Sequence, residues 1–103
     1  MITKEEIAAL AEKMVWVQPR KYGEKIGEAS NKFPEPNVPC LVYYQLEDDD
    51  HESVLFRSIN DGVDYEWTLD DGHPVCFDSD VWSYMVIPTE LYPIFNKIYG
   101  CNL

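Results

Sequence analysis

His73-x-x-Cys76, with His51 as a third donor, has the spacing of half a zinc site. Structural zinc takes four nitrogen or sulfur ligands, usually in two tight pairs. Only one pair exists here, and it falls in Asp70-Asp71-Gly72-His73-Pro74, which also reads as a turn. Asp48-Asp49-Asp50 and Asp78-Ser79-Asp80 offer the hard oxygen donors that calcium takes. The calcium loop wants alternating acids, a glycine and a closing glutamate at fixed positions, and neither run matches. Cys40 or Cys76 beside a histidine would make a nucleophilic dyad. Both cysteines sit inside apolar, strand-like runs, where a thiol is buried and inert. No Gly-x-Ser-x-Gly, phosphate-binding loop or Gly-x-Gly-x-x-Gly occurs. The chain reads as non-enzymatic, with no catalytic residue, metal or cofactor expected.

The carboxylates are the feature with specific content. Nineteen acidic residues face eight basic ones over 103 residues, a formal charge of −11. Residues 47–80 hold twelve acids: Glu47, Asp48, Asp49, Asp50, Glu52, Asp61, Asp64, Glu66, Asp70, Asp71, Asp78 and Asp80. Arg57 is the only Lys or Arg among them, so this third of the chain carries the whole imbalance. Such a charge excludes a phosphate-backbone binder and disfavours anionic membranes. Solubility and the turn preference of Asp account for part of it. The sharper reading is an interface. Alternate strand residues lie roughly 6.7 Å apart on one face. Asp64, Glu66 and Asp70 would form such a row, extended at the strand ends by Glu47 to Glu52, Asp61 and Asp71. Carboxylates at that pitch approach the charge density of a nucleic-acid strand, one phosphate per ~3.4 Å. They would fit a Lys/Arg groove made for DNA or RNA. Trp16, Tyr22 and Tyr92 are the aromatic candidates for hot spots in that interface, with Trp16 the more readily assigned to the core.

The elements that must position these residues follow from pattern. Thr3-Lys4-Glu5-Glu6 fits a capping box, and Ile7, Leu10, Ala11 and Met14 recur at helical spacing. This predicts a helix from Lys4 to Met14, too short to stand without docking. Trp16 and Val17 would continue its apolar face. Residues 18–39 hold Pro19, Gly23, Gly27, Pro34, Pro36 and Pro39 and read as a wrapping loop anchored by Phe33. Strands are expected at Cys40–Leu46, Ser53–Ile59, Val63–Leu69, Val75–Phe77 and Val81–Ile87. Glu47 to Glu52 reads as a charged turn, and Asn60-Asp61-Gly62 is a strong hairpin signal. In Val63–Leu69 the apolar Val63, Tyr65, Trp67 and Leu69 share one face. A terminal helix should start at Thr89 as N-cap, bury Leu91, Ile94, Phe95 and Ile98, and stop at Gly100. The fold class is therefore α+β: a four- to five-stranded antiparallel sheet, a meander, with an N-terminal and a C-terminal helix. One domain covers 1–103: helix and extension 1–17, wrapping loop 18–39, sheet 40–87, C-terminal helix 88–103.

Three scattered cysteines, Cys40, Cys76 and Cys101, make no disulfide framework and are expected reduced. The charged Met1-Ile-Thr-Lys-Glu-Glu6 start is unlike a secretory signal, and no apolar run approaches a membrane span. The expected location is cytoplasmic.

In size, single domain and the acidic stretch Glu47 to Asp80, the chain resembles small acidic phage-encoded inhibitors of host defence. These include nucleic-acid mimics that block restriction enzymes or CRISPR effectors. Val38-Pro-Cys-Leu-Val-Tyr-Tyr44 and Asp80-Val-Trp-Ser-Tyr-Met-Val-Ile-Pro88 are also similar to segments of small phage and prophage proteins. The resemblance implies a phage origin, a host-cytoplasmic location and an anti-CRISPR or anti-restriction role. The expected partner is a basic protein surface, on a nucleic-acid-binding effector or a nuclease, with no direct contact to nucleic acid or membrane. A homodimer is compatible with the sequence. The alternative is an immunity or antitoxin protein that neutralises a basic nuclease. A structural or assembly subunit would instead be marked by a large exposed apolar patch.

Overall fold

The computed structural model describes residues 3–19, 33–60 and 64–103. The element order is helix α1 (Lys4–Lys13), strands β1 (Pro39–Leu46), β2 (Asp49–Asn60), β3 (Asp64–Thr68), β4 (Pro74–Phe77) and β5 (Val81–Val86), then helix α2 (Tyr92–Tyr99). The five strands form one antiparallel sheet in the order β4-β3-β2-β1-β5. The α+β reading is what the structure shows. β1 to β4 form a meander, and β5 returns to the free side of β1.

That return curls the sheet. β4 ends at Phe77 and β5 begins at Val81. Four residues span at most ~14 Å. Four strand spacings in a flat sheet would need ~19 Å. The two edges must therefore bend toward each other. The Trp67 ring on β3 lies 6.2 Å from the Tyr84 ring on β5, although β2 and β1 separate those strands. The inside of the curl is the larger core: Cys40, Val42 and Tyr44 from β1, Leu55, Trp67, Cys76, Val81 and Tyr84. Val17, Phe33, Val38 and Leu69 close it. The outer face carries a second core of Leu41, Val54, Met85 and Ile87, capped by Phe95 of α2. β1 is thus flanked on both sides and buried on both faces, as its doubly apolar sequence requires.

Several boundaries differ from the sequence expectation. The turn after β1 is only Glu47-Asp48, with Glu47 at a positive φ of 56°, and β2 resumes at Asp49. Glu47 to Glu52 is therefore not a charged loop. Leu46↔Asp49 through Tyr43↔Glu52 are paired residues of one long hairpin. Backbone pairing to β1 outweighs the low strand propensity of Asp. The Asn60-Asp61-Gly62 signal runs into residues outside the description, but β2 and β3 pair antiparallel from Asn60↔Asp64 onward. Val63 and most of the wrapping loop, residues 20–32, lie outside it too, as does Tyr22.

Thr89 is not the N-cap of the last helix. A single 3-10 turn, Thr89–Leu91, comes first, and no side chain caps α2. Pro93 sits in the first turn, where its missing N–H costs no helical bond. Leu91 of the 3-10 turn and Tyr92, Phe95 and Tyr99 of α2 pack on the sheet, while Ile94 and Ile98 face solvent. Two tyrosine bodies packed on the sheet displace the isoleucines that pattern alone would bury. Gly100 ends the helix at φ 71°, donating its N–H to Asn96 O at 2.9 Å.

The Thr3 hydroxyl caps α1 by accepting the Glu6 N–H at 3.1 Å. Against the described residues α1 is little covered: Leu10 is half-buried, and Ala8, Ala9, Ala11 and Met14 are exposed. The side chain of Ile7 is outside the description. Trp16 is exposed rather than core, and only Val17 joins the sheet, through a bridge to Tyr84. Among the described residues no helix is long and apolar enough to cross a membrane.

Candidate anionic interface

The two hairpin ends carry most of the predicted site residues. Glu47 and Asp48 form the tip of the first hairpin, and Asp49, Asp50 and Glu52 follow on β2, all exposed. Strand alternation divides them. Glu52 and Asp50 lie on the outer face with Val54, whereas Asp49 and His51 lie on the inner side, where His51 stacks on Tyr44 at 5.4 Å. Glu66 is half-buried on the outer face of β3, opposite Ser58. Asp70 and Asp71 sit beyond the end of β3, in its turn to β4, so Glu66 and Asp70 are not neighbours in one strand row. Asp61 and the side chain of Asp64 lie outside the described residues.

The C-terminal segment joins the two groups instead. The Tyr99 hydroxyl donates to Glu52, and the Asn102 N–H donates to Asp70 at 2.7 Å. Carboxylates eighteen positions apart in sequence thus flank one helix end. Asp50 beside Tyr43 raises the phenol of Tyr43 above its ordinary value. Phenols oriented toward carboxylates leave the second oxygens open to solvent or to a partner's cation. Beside them is an open depression of about 490 Å³, lined by Asn37, Phe56, Ser58, Glu66, Thr68 and Asp70 among others.

Arg57 and Asp78 leave this surface altogether, which their sequence positions within the acidic stretch did not suggest. Arg57 is 8% exposed and Asp78 4%. The guanidinium grips the carboxylate side-on, Nε to Oδ1 at 3.0 Å and Nη2 to Oδ2 at 2.7 Å. Nη1 donates to Pro34 O at 2.8 Å, and Trp67 Nε1 donates to Asp78 Oδ1 at 2.7 Å. The Tyr65 ring lies 3.5 Å and the Phe33 ring 4.8 Å from the guanidinium carbon. Asn37, at φ 66°, donates its N–H to Arg57 O at 2.7 Å. This node therefore ties residues 33–37 and the β4–β5 connection to the middle of the sheet. The signal for it was parity: in Ser53-Val-Leu-Phe-Arg-Ser-Ile59, Arg57 is in step with Leu55, an inward position. The electrostatic consequence is that the only Lys or Arg of residues 47–80 is spent internally. The remaining ion pairs among the described residues are Lys13–Glu90 at 3.0 Å and His73–Asp71 at 2.9 Å.

The metal candidates are held apart. Cys76 is buried, His73 is exposed against Asp71, and His51 is on the ring of Tyr44. No three metal-ligating side chains converge among the described residues. No family model matches the chain, and neither does any curated protein or solved structure.

Burial pushes the Cys40 and Cys76 thiols up to about 12. Cys101 is half-buried, its Sγ 3.4 Å from Asn96 Oδ1, and raised less. A thiol-specific disulfide reagent at pH 8 is expected to label Cys101 alone in the native protein, and all three on unfolding in guanidinium. Mass spectrometry reads the sites. Native labelling of Cys40 or Cys76 at the rate of Cys101 would contradict their burial.

The same groups set the alkaline limb of stability. Hydrogen bonding to Glu52 lifts Tyr99 to about 12 from 10.0, and the two buried thiols rise from 9.0. Between pH 9 and 12 the unfolded chain sheds protons that the folded chain keeps. This stability is complete below pH 9 and is lost as pH climbs toward 12. The urea midpoint is expected to hold level up to about pH 9 and then fall. Tyr99→Phe should flatten the part of that fall above pH 10.

Proposed function

We propose that this is a non-enzymatic acidic binding protein that occupies a basic, nucleic-acid-binding surface of a partner protein. The observation that carries the reading is electrostatic. The exposed carboxylates of 47–52 and of 70–71 gather at hairpin ends, while Arg57, the one Lys or Arg of that stretch, is buried on Asp78. The tip Glu47-Asp48 enters the partner groove first, and the depression beside Glu66 and Asp70 takes a Lys or Arg side chain. The phenols of Tyr43 and Tyr99 add apolar area next to the charge. The anti-defence role implied by the resemblance to phage inhibitors, anti-CRISPR or anti-restriction, belongs to this same reading.

Affinity capture from host lysate, with identification of the bound protein, tests it when two competitors are applied. Duplex DNA should displace the chain from its partner. Raising salt from about 0.05 to about 0.3 M should weaken the complex at least tenfold, because exposed charges are screened over a shorter Debye length. A partner that duplex DNA does not displace, or an affinity flat across that range, would reject the reading.

A further inference from the structure

We infer that the depression on the outer face of β2 and β3 is a guanidinium site, which takes an arginine side chain of the partner in preference to a lysine. The inference rests on the proposed acidic binding role and specifies which basic side chain that role recognises. Two cross-strand pairs, Phe56↔Thr68 and Ser58↔Glu66, line the depression side by side. Asn37 and the turn after β3, with Asp70, complete the lining. Its volume of about 490 Å³ falls within the roughly 300–1,000 Å³ of small-ligand pockets.

The donors around the depression are spent, and the acceptors are not. Ser58 Oγ donates to Glu66 O at 3.3 Å and Thr68 Oγ1 to Phe56 O at 3.4 Å, so each hydroxyl has only lone pairs left to offer. The backbone N–H groups of Asn37, Leu69 and Gly72 are bonded to Arg57 O, His73 O and Leu69 O at 2.7, 2.9 and 3.0 Å. Asn102 N–H takes one oxygen of Asp70 at 2.7 Å, which fixes that carboxylate and leaves its other oxygen for a ligand. Among the described residues neither Glu66 nor Asp70 has an ion-pair partner. Of the described lining side chains, the Asn37 amide alone keeps N–H groups to give. An anion would find almost no donor here. A metal ion is also a poor fit, since no three ligating side chains converge among the described residues. A guanidinium brings five N–H donors in one plane and no acceptor, and its flat face can stack on an aromatic ring such as that of Phe56. An ammonium is a point charge with three donors and a tighter hydration shell, so it satisfies fewer of these acceptors for the same charge.

Titration with N-acetyl-arginine amide and N-acetyl-lysine amide, followed by amide NMR in about 0.05 M salt, tests this, because the two probes carry the same single charge. The arginine probe should shift the amides of Ser58, Glu66, Thr68 and Asp70 saturably. The lysine probe should bind there at least about fivefold more weakly. Glu66→Gln should weaken the arginine probe at least about tenfold. Ser58→Ala with Thr68→Val leaves the charge unchanged and should bring arginine down to the level of lysine. Equal affinity of the two probes overturns the guanidinium site, and so do shifts that never saturate or that centre on residues 47–52. An arginine preference that the double change leaves intact overturns it as well. The wild-type comparison of the two probes decides the matter even where a variant fails to fold. Free probes need no partner, so failure here leaves displacement by duplex DNA and salt sensitivity of the captured complex as separate outcomes for the acidic binding role.

Discussion

Asp78→Ala is expected to cost about 3–5 kcal/mol, because it leaves a guanidinium buried without its counter-charge. Arg57 is 8% exposed, paired across the strands with Trp67 and held between the rings of Tyr65 and Phe33. Of the hydrogen bonds its guanidinium donates to the described residues, the one to Pro34 O would survive the substitution. Trp67 Nε1 would lose its acceptor too, which is a second buried polar group unsatisfied. A domain of this size is stable by about 5–15 kcal/mol in total, so much of the reserve would go. Urea denaturation followed by tryptophan fluorescence reads the loss as a lower midpoint with the slope retained. Asp78→Asn keeps the shape and one acceptor and should fall between. Replacing both charges, Arg57→Met with Asp78→Leu, should cost less than the two single changes added together, since neither charge is then stranded. A loss below about 1 kcal/mol for Asp78→Ala would mean that solvent reaches the pair and that the node does not hold the fold together.

The second large effect concerns binding. Glu47→Lys, Asp48→Lys and Asp49→Lys together change the charge of the first hairpin tip by six units, from −11 to −5 overall. All three side chains are exposed, and none of them accepts a hydrogen bond that holds the C-terminal segment. Folding should therefore be retained. Affinity for the captured partner should fall at least about 100-fold, mostly through slower association, because steering fields are reversed rather than merely removed. Glu66→Lys with Asp71→Lys probes the second group and should cost about tenfold. Glu52 and Asp70 are poor choices for this purpose, since Tyr99 and Asn102 depend on them. Should the hairpin-tip variant bind within about twofold of wild type, the first hairpin is not the contact surface.

How far the candidate site could be read from the chain differs from residue to residue. The clustering of acids within 47–80 is a property of composition and needs no fold. Their placement does need one. Glu47 to Glu52 read as a charged turn, yet pairing to Tyr43, Tyr44, Gln45 and Leu46 carries β2 out to Asp49. Asp70 read as a strand neighbour of Glu66, yet β3 ends at Thr68 and Asp70 turns to cap Asn102. Arg57 and Asp78 entered the sequence reading only as charges of the acidic stretch, and both are buried. In α2 the i, i+3, i+4 pattern was right and its phase was wrong, because Tyr92 and Tyr99 offer more apolar area to the sheet than Ile94 and Ile98 do.

From the residues by themselves came the α+β class, the strands with period-two alternation, the capping of α1 by Thr3, the stop at Gly100 and the burial of Cys40 and Cys76. All of these rest on local sterics, hydrogen bonding within a few positions, or simple apolarity, which a linear sequence carries. Only the tertiary structure decided that β5 pairs with β1 and that the sheet curls until Trp67 meets Tyr84. The same is true of Arg57 closing on Asp78 twenty-one positions away, and of Val17 bridging to Tyr84 at the edge of β5. These are outcomes of competition among distant partners for the same buried space, and no window of neighbouring residues contains the competitors.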